Sequence, residues 1–305
     1  MTVLDLDLAS ALAHAAEDDT LVLHLQPEVD LASGAVVGME ALVRWQHPDR
    51  GMLWPAEFLP VAQRSGVLPS IGGWVLRQAV AELAAWQRLP ARPYSPTWQL
   101  WVNVAAVEVV QPGFVELVCG LVRDAQLPRG VLGIEITEEA LAVGGAEVLA
   151  GLQTLRAAGV ALAIDDFGTW YSSLATLGDL PVDAIKLDQT FVRGVGSDLE
   201  DDDIVAAVIR LAHARDLLVV AEGVESWAEG ARLCELGCDR GQGYLFSGPQ
   251  PLEKARWMLA RGTGWRGSAG DPAAVASRTA DPAPAESTSG LPQPRRAAGQ
   301  APGGD

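Results

Sequence analysis

The sequence predicts an α/β fold, an irregular (β/α)8 TIM-type barrel whose first strand is antiparallel to the second. Three observations support this prediction: eight apolar runs of strand length, helical patterns between most of them, and one connection too short for a crossover. Strands that alternate with helices favour a parallel sheet, and eight such strands favour a closed barrel. The eight runs cover residues 21–26, 36–43, 99–104, 131–136, 160–165, 184–188, 217–222 and 240–245.

Helical periodicity fills most of the intervals between these runs. The patterns lie at residues 74–88, 115–125, 146–158, 203–214 and 227–236. The exception is the first interval, which holds only PEVDLASGA at residues 27–35. A parallel crossover needs about a dozen residues or more. Asp30 to Gly34 offers turn chemistry instead, so we expect an antiparallel pair at this point.

Composition limits the partners of this chain. Its 305 residues are 49% hydrophobic, which allows a large core. The 22 basic and 39 acidic residues give a net charge of −17, which argues against a DNA or RNA duplex or an anionic membrane as the main partner. A phosphorylated ligand stays compatible, because divalent cations can reverse the charge inside an acidic pocket. Three cysteines do not indicate a disulfide framework.

The sequence divides into three segments. Residues 1–20 predict a short lead-in helix, residues 21–265 the barrel, and residues 266–305 a disordered tail. The tail is rich in Ala, Pro, Gly, Ser and Thr, contains no aromatic residue, and therefore cannot form a core. Acidic residues interrupt the N-terminus, so no signal peptide is expected, and no apolar run could span a bilayer. We expect a cytoplasmic chain without membrane insertion.

Polar residues lie at or near the end of every predicted strand, where barrels keep their active sites. Any one of them could be a turn residue or a hydrogen-bonded polar group inside the barrel, but eight such coincidences are harder to accept. Oxygen ligands of this kind select hard cations such as Mg²⁺ or Mn²⁺, whereas a zinc site would usually show Cys or His. The residues are Gln26, Glu40, Asn103, Glu135, Asp165, Asp166, Lys186, Asp188, Glu222 and Gln242.

This acidic cluster predicts phosphoester chemistry. Two metal ions about 3.5–4 Å apart suit in-line attack of an activated water on a phosphodiester. Lys186 would neutralise charge or orient the water, and Arg44 could bind a phosphate oxygen through its planar fork. The residues by themselves therefore predict metal-dependent phosphoester chemistry in a barrel mouth.

Seven ordered motifs give the chain a family resemblance. They are LQPEVDLASGAVVGMEALVRWQHPDRG at 25–51, VNVA at 102–105, EITEE at 135–139, DDFGTWYSSL at 165–174, LPVDAIKLD at 180–188, EGVE at 222–225 and GCDRGQGYLFSGPQP at 237–251. Over about residues 21–259 the chain resembles the EAL domain family of cyclic-di-GMP phosphodiesterases. The resemblance implies hydrolysis of cyclic-di-GMP to linear pGpG with two Mg²⁺ or Mn²⁺ ions.

The resemblance also implies roles for individual residues. Metal ligands would be Glu40, Asn103, Glu135, Asp165 and Glu222, with Asp166 and Asp188 also near the metals. Glu40, Lys186, Asp166 and Glu222 would serve catalysis, and Lys186 and Gln242 would position water and substrate. Gln26 and Arg44 would contact the nucleotide, and Glu138 would hold the loop at 166–174 in place. A homodimer and an upstream sensor or regulatory protein would be its partners.

Two positions depart from the family pattern. Ala105 stands where the family usually has serine, which removes one hydroxyl donor. Trp170 stands where the family usually has glycine. A glycine there would allow a positive φ or a close approach that Trp170 would strain, or Trp170 could anchor a dimer interface; the sequence leaves both open. A second hypothesis for the whole chain is a non-catalytic cyclic-di-GMP receptor, although such proteins usually lose metal ligands and this chain keeps them.

Overall fold

A computed structural model describes residues 3–88, 98–168, 180–196 and 199–261 of the chain. The strands in these ranges are β1 (Leu21–Asp30), β2 (Val36–His47), β3 (Gly51–Leu53), β4 (Gln99–Asn103), β5 (Leu132–Thr137), β6 (Ala161–Phe167), β7 (Ala184–Leu187), β8 (Leu218–Ala221), β9 (Arg240–Gly241) and β10 (Gln250–Pro251). The helices are α1 (Val3–His14), α2 (Pro55–Ser65), α3 (Leu68–Trp86), α4 (Ala106–Val109), α5 (Phe114–Asp124), α6 (Glu138–Ala157), α7 (Gln189–Val192), α8 (Leu199–His213), α9 (Trp227–Glu235) and α10 (Leu252–Arg261). The predicted tail and Trp170 lie outside the described residues.

Eight of the strands close into a barrel. The ring runs β1-β9-β8-β7-β6-β5-β4-β2, and β2 pairs again with β1. Strand β1 is antiparallel to both of its neighbours in the ring, and all other ring pairs are parallel. Strands β3 and β10 extend the edges of β2 and β1 outside the ring. The predicted irregular barrel and its antiparallel first strand are both confirmed.

The turn between β1 and β2 explains the antiparallel pair. Asp30 and Ala35 close the hairpin with a backbone hydrogen bond of 2.9 Å, and the Asp30 side chain accepts from the Ser33 amide at 2.6 Å. Gly34 has φ 75°, a left-handed conformation that suits glycine. The chain therefore reverses within a few residues, as the turn chemistry of this segment predicts.

Side chains fill the barrel below its mouth. Trp101 forms a buried cluster with Ala161, Ala163 and Ala184, and its ring covers Gly133, where an added Cβ would lie 2.0 Å from the ring. Burying an aromatic side chain of this size contributes about 1.5–3 kcal/mol. The Trp101 Nε1 donates to buried Glu28 at 3.1 Å. The barrel interior around Trp101 is therefore packed with side chains.

Two aspartates fix the starts of neighbouring strands at the closed end of the barrel. Asp183, just before β7, accepts from the Leu162 amide of β6 at 3.0 Å and pairs with Arg156 at 2.8 Å. Asp239, just before β9, accepts from the Val219 amide of β8 at 2.8 Å. Asp183 and Asp239 therefore stabilise the fold at the end of the barrel opposite the mouth. They lie in the motifs LPVDAIKLD and GCDRGQGYLFSGPQP.

Two elements differ from the sequence prediction. The run at 240–245 is a strand only over Arg240–Gly241, because the backbone then turns so closely past Val224 that a Cβ on Gly243 would lie 2.2 Å from the Val224 carbonyl oxygen. Helix α6 begins at Glu138, not near residue 146, and bends at Gly145, whose φ of 60° and ψ of −156° are not helical. The first difference depends on a tertiary contact that periodicity does not record, whereas α6 begins early because the Thr137 side chain accepts from the Ala140 amide at its N-cap.

Candidate active site

A buried lysine lies at the centre of the barrel mouth. Lys186 of β7 is 1% exposed, and its Nζ lies 2.5 Å from Glu222, 2.9 Å from Glu135, 3.5 Å from Glu40 and 3.9 Å from Asp165. Glu40, Glu135 and Asp165 project from β2, β5 and β6, and Glu222 follows β8 directly. Parallel strands bring these residues to one end of the barrel. We call these four carboxylates the acidic ring.

The acidic ring holds more negative charge than Lys186 can neutralise. Burial raises the pKa of Glu135 and of Glu222 well above the usual range, and the Lys186 ammonium lowers each by less than burial raises it. Burial likewise raises the pKa of Asp165. For Lys186, burial acts to lower the pKa, but Glu135, Glu222 and the other ring members together raise it well above normal. The site therefore retains a fixed ammonium and attracts further positive charge, either protons or cations.

Asp165 and Asp166 reach the same pocket because the end of β6 is irregular. Successive residues of a regular strand face opposite sides of the sheet. Asp166 has φ 53°, and the register between β6 and β7 shifts between Ile164 and Phe167. Carboxylate oxygens of Asp165, Asp166 and Glu222 consequently lie within 4.8 Å of one another. Burial, together with the charges of Asp165 and Asp188, raises the pKa of Asp166 to about 7.

Amide side chains orient Glu40. The Asn103 Nδ2 donates to Glu40 Oε1 at 2.5 Å, and the Gln242 Nε2 donates to Glu40 Oε2 at 2.5 Å. The same Gln242 nitrogen lies 3.2 Å from Gln26 Oε1, and Gln26 donates to the Ser247 carbonyl at 3.2 Å. Asn103, Gln242 and Gln26 thus form one network on the Glu40 side of the mouth.

The chemistry of these side chains fits hard divalent cations. Glu135 is 0% exposed, and its Oε2 is buried without a hydrogen-bond partner among the described residues. A buried carboxylate oxygen with no partner costs several kcal/mol unless a cation compensates. The candidate ligands around it are carboxylate and amide oxygens, the donors that Mg²⁺ and Mn²⁺ prefer. The site therefore has the composition of a metal centre.

Asp188 and Glu138 support the turns beside the ring. Asp188 caps α7 and accepts a hydrogen bond from the Thr190 amide at 2.9 Å, so one of its carboxylate oxygens already has a partner within the fold. Glu138 Oε2 accepts from the Gly168 amide at 2.8 Å, two residues after Asp166. Glu138 therefore holds the start of the segment at 166–174. The rest of that segment lies outside the described residues.

Arg44 lies on β2 beyond the acidic ring. It is four residues beyond Glu40 on β2, is 0% exposed, and donates to the Val43 carbonyl at 2.9 Å. Its guanidinium carbon lies 4.3 Å from the centroid of the Trp54 ring. Such a cation–π contact contributes about 0.5–2 kcal/mol and fixes the plane of the guanidinium. Nothing in the sequence signals the Trp54 contact, because only folding brings Trp54 to Arg44.

Two sequence expectations need correction in detail, and the structure also places Ala105. Gln26 and Glu40 do not end their strands: β1 continues to Asp30 and β2 to His47, and the two residues face each other in mid-strand. Ala105 lies at the N-cap of α4 with extended φ and ψ, so the missing serine hydroxyl belongs to a helix cap. The Glu108 carboxylate accepts from the Ala105 amide at 3.0 Å on the other side of that cap.

The fold and mouth define a class of protein, a TIM-type barrel whose mouth carries a cluster of carboxylates that could hold a metal ion. The chain belongs to the EAL domain family, whose model matches residues 9–249. It is 42% identical over 254 residues to a Mycobacterium tuberculosis protein described only as uncharacterized, covering 83% of this chain and 40% of that protein. It is 40% identical over 253 residues to the cyclic di-GMP phosphodiesterase NbdA of Pseudomonas aeruginosa, covering 81% of this chain and 31% of NbdA.

Solved structures share this barrel. The PaMucR phosphodiesterase in complex with c-di-GMP matches with a TM-score of 0.75 and 37% identity, covering 82% of this chain and 99% of that one. The EAL domain of Mycobacterium smegmatis DcpA matches with a TM-score of 0.66 and 40% identity, covering 79% and 98%. The chain spans about 40% or less of the length of the curated relatives named above. Within the described ranges, no helix is long and apolar enough to cross a membrane.

Proposed function

We propose that this chain is a metal-dependent phosphodiesterase that hydrolyses cyclic-di-GMP to linear pGpG. The observation that carries the proposal is the intact acidic ring around Lys186, whose carboxylates converge within 3.9 Å of one ammonium. Membership of the EAL family and the names of its relatives support the choice of substrate. The acidic ring and these relatives together favour a phosphodiester with two negative charges over a neutral substrate.

Divalent cations, two Mg²⁺ or Mn²⁺ ions in this proposal, would be held by the ring and its neighbours. The ligands would be Glu40, Asn103, Glu135, Asp165, Asp166 and Glu222, with Asp188 close by. When bound, such cations supply Lewis-acid activation of water and neutralise phosphate charge. The Oε2 of Glu135 supports this assignment, since it is buried and has no hydrogen-bond donor among the described residues.

The remaining residues of the mouth would orient the reactants. The Lys186 ammonium has a raised pKa, so it stays protonated and offers fixed donors to an attacking water or a phosphate oxygen. Gln242 and Gln26 present amide groups on the Glu40 side, where they can hydrogen-bond the sugar-phosphate backbone. Arg44, held flat by Trp54, adds a second cation further along β2. Glu138 fixes the turn that carries Asp166.

The competing function is a receptor that binds cyclic-di-GMP without cleaving it. A receptor needs the residues that bind the nucleotide but not the candidate metal-ligand residues around Lys186, and this chain keeps both sets of residues. The two functions are separated by incubating the full chain with cyclic-di-GMP and Mn²⁺ and following pGpG by chromatography. Stoichiometric binding with no pGpG would establish the receptor and rule out the enzyme.

The location, oligomeric state and regulation of the chain are also proposals. We propose a cytoplasmic homodimer regulated by an upstream sensor or partner protein. The greater length of the relatives supports regulation by other segments, because a matching domain there occupies at most about 40% of the chain. Analytical ultracentrifugation of the full chain across a range of concentrations measures the dimer constant directly.

A further inference from the structure

The paired strands β1 and β2 carry one continuous face beyond the acidic ring. Residues opposite each other in an antiparallel pair share a face, and alternate residues along a strand point the same way. The face that starts at the ring therefore continues through two more pairs. In order from the ring, the pairs are Gln26 with Glu40, His24 with Leu42, and Val22 with Arg44.

His24 occupies the middle of this row. A strand rises about 3.4 Å per residue, so His24 lies about 7 Å along β1 from Gln26. Leu42 of β2 lies on one side of it and Pro251 of β10 on the other. A ligand that reaches from the ring to Arg44 must pass His24 and Leu42. Leu42 is 9% exposed and offers a small apolar surface there.

The His24 side chain has unused hydrogen-bonding capacity. Its ring is half-buried, and its Nδ1 is buried without a hydrogen-bond partner among the described residues. Burial and then the neighbouring charge of Arg44 lower the pKa of His24, so the imidazole is neutral and keeps one acceptor nitrogen. Buried polar groups in folded proteins nearly always have a partner, so an orphan beside a binding site points to a ligand.

We propose that His24 is a specificity-determining residue whose Nδ1 accepts a hydrogen bond from an N–H group of a guanine base, with the base lying against Leu42. The inference rests on the proposed function, because it takes the ligand at the ring to be cyclic-di-GMP. A neutral imidazole suits the edge of an uncharged base. A phosphate at this position would find its charge partner in Arg44, one pair further along.

A purely structural role for His24 is the alternative, and substitutions distinguish the two. His24→Phe keeps a ring of similar size but removes both nitrogens. His24→Asn loses the ring but keeps an acceptor close to the position of Nδ1. A contact with the base predicts that asparagine retains more function, whereas packing against Pro251 predicts that phenylalanine does. His14→Phe, on exposed α1, is the matched control.

The experiment is isothermal titration calorimetry of the full chain with cyclic-di-GMP and with cyclic-di-AMP, in Ca²⁺, with the ligand checked intact by chromatography. His24→Phe is expected to raise the Kd for cyclic-di-GMP about tenfold, the loss of one hydrogen bond with a stranded donor. His24→Asn should stay within about threefold, and His14→Phe should equal wild type. The preference for cyclic-di-GMP over cyclic-di-AMP should fall in His24→Phe alone.

Wild-type affinity and unchanged base preference in His24→Phe would overturn the inference and leave the proposed function standing. Equal weakening in both His24 variants, with lowered melting temperatures, would assign His24 to the fold instead. Absence of any cyclic-di-GMP binding by the wild-type chain would defeat the proposed function, and the inference with it.

Discussion

Replacing Lys186 by methionine removes the cation at the centre of the acidic ring while keeping a side chain of similar length. Lys186 is 1% exposed, and four carboxylates lie within 3.9 Å of its Nζ. Removing one partner of a buried ion pair costs about 3–5 kcal/mol, because the other charge is left buried and uncompensated. We expect a loss of that size in the free energy of unfolding at pH 8.

The loss should depend on pH in a defined direction. In the folded protein the pKa values of Glu135, Asp165 and Glu222 are raised, so their protonated forms are favoured. The penalty for a raised carboxyl pKa is absent below the unfolded pKa of about 4 and grows as pH rises. Without Lys186 these pKa values rise further. The variant should therefore lose less stability at pH 5, about 1–2 kcal/mol, than at pH 8.

Urea unfolding at pH 5 and pH 8, without divalent metal and then with Mn²⁺, measures these differences. Added Mn²⁺ should restore part of the lost stability at pH 8, since a cation replaces the missing positive charge. Lys254→Met is the matched control, because Lys254 is the other lysine of the chain and is exposed. An equal loss at both pH values, or no loss at all, would show that Lys186 does not compensate the acidic ring.

The remaining predictions concern single positions or ions. Glu40→Ala should abolish turnover with little change in melting temperature, measured by pGpG release; wild-type turnover would remove Glu40 from the site. Lys186→Arg should lower kcat by at least about a hundredfold, because a planar guanidinium replaces a compact ammonium. A normal kcat would show that the site needs only a positive charge at this position. Ca²⁺ alone should not support turnover, since its coordination is larger and looser. Burial raises the pKa of Glu108 from its usual value of 4.5 to about 7. Wild type should therefore lose stability between about pH 4.5 and 7, and Glu108→Gln should gain up to about 3 kcal/mol at pH 8. Identical unfolding curves for Glu108→Gln and wild type at pH 8 would contradict that assignment.

Much of the barrel follows from local sequence patterns. The eight apolar runs each correspond to a strand, because strand length and β-branched content are local properties. The hairpin follows from Asp30 and Gly34, whose turn chemistry is also local. The extensions of β1 to Asp30 and of β2 to His47 do not follow from the apolar runs, because they depend on pairing with other strands. Val29 and Asp30 pair with β9, which comes from a distant segment, and Trp45 to His47 pair with β3 across a short turn.

The candidate site could be predicted as a set of residue types more readily than as a geometry. Strand ends rich in carboxylates identify Glu135, Asp165 and Glu222 without any structure. The central position of Lys186 among them depends on barrel closure, and the turn at Asp166 depends on a positive φ that a strand pattern does not reveal. The alternation along β1 does contain the signal for His24, which lies two residues before Gln26 on the same face. The stacking of Trp54 on Arg44 has no such signal.

The role of Trp170 stays a prediction from sequence, since this residue lies outside the described residues. If the position needs a glycine backbone, Trp170→Gly should raise turnover and leave the dimer constant unchanged. If the ring packs across a dimer interface, it contributes on the order of 2 kcal/mol, and Trp170→Gly should weaken dimerisation by at least about tenfold. Analytical ultracentrifugation and a turnover assay on the same preparation separate these outcomes, and a variant unchanged in both would contradict either role.

The most direct test of the proposed function is a turnover measurement on the full chain with cyclic-di-GMP and Mn²⁺, with Glu40→Ala in parallel. We expect wild type to convert cyclic-di-GMP to linear pGpG over many turnovers, to stop when EDTA is added, and to lose this activity in Glu40→Ala. Saturable binding of cyclic-di-GMP with no pGpG in Mn²⁺ or Mg²⁺ would show that the acidic ring around Lys186 does not form a catalytic metal centre.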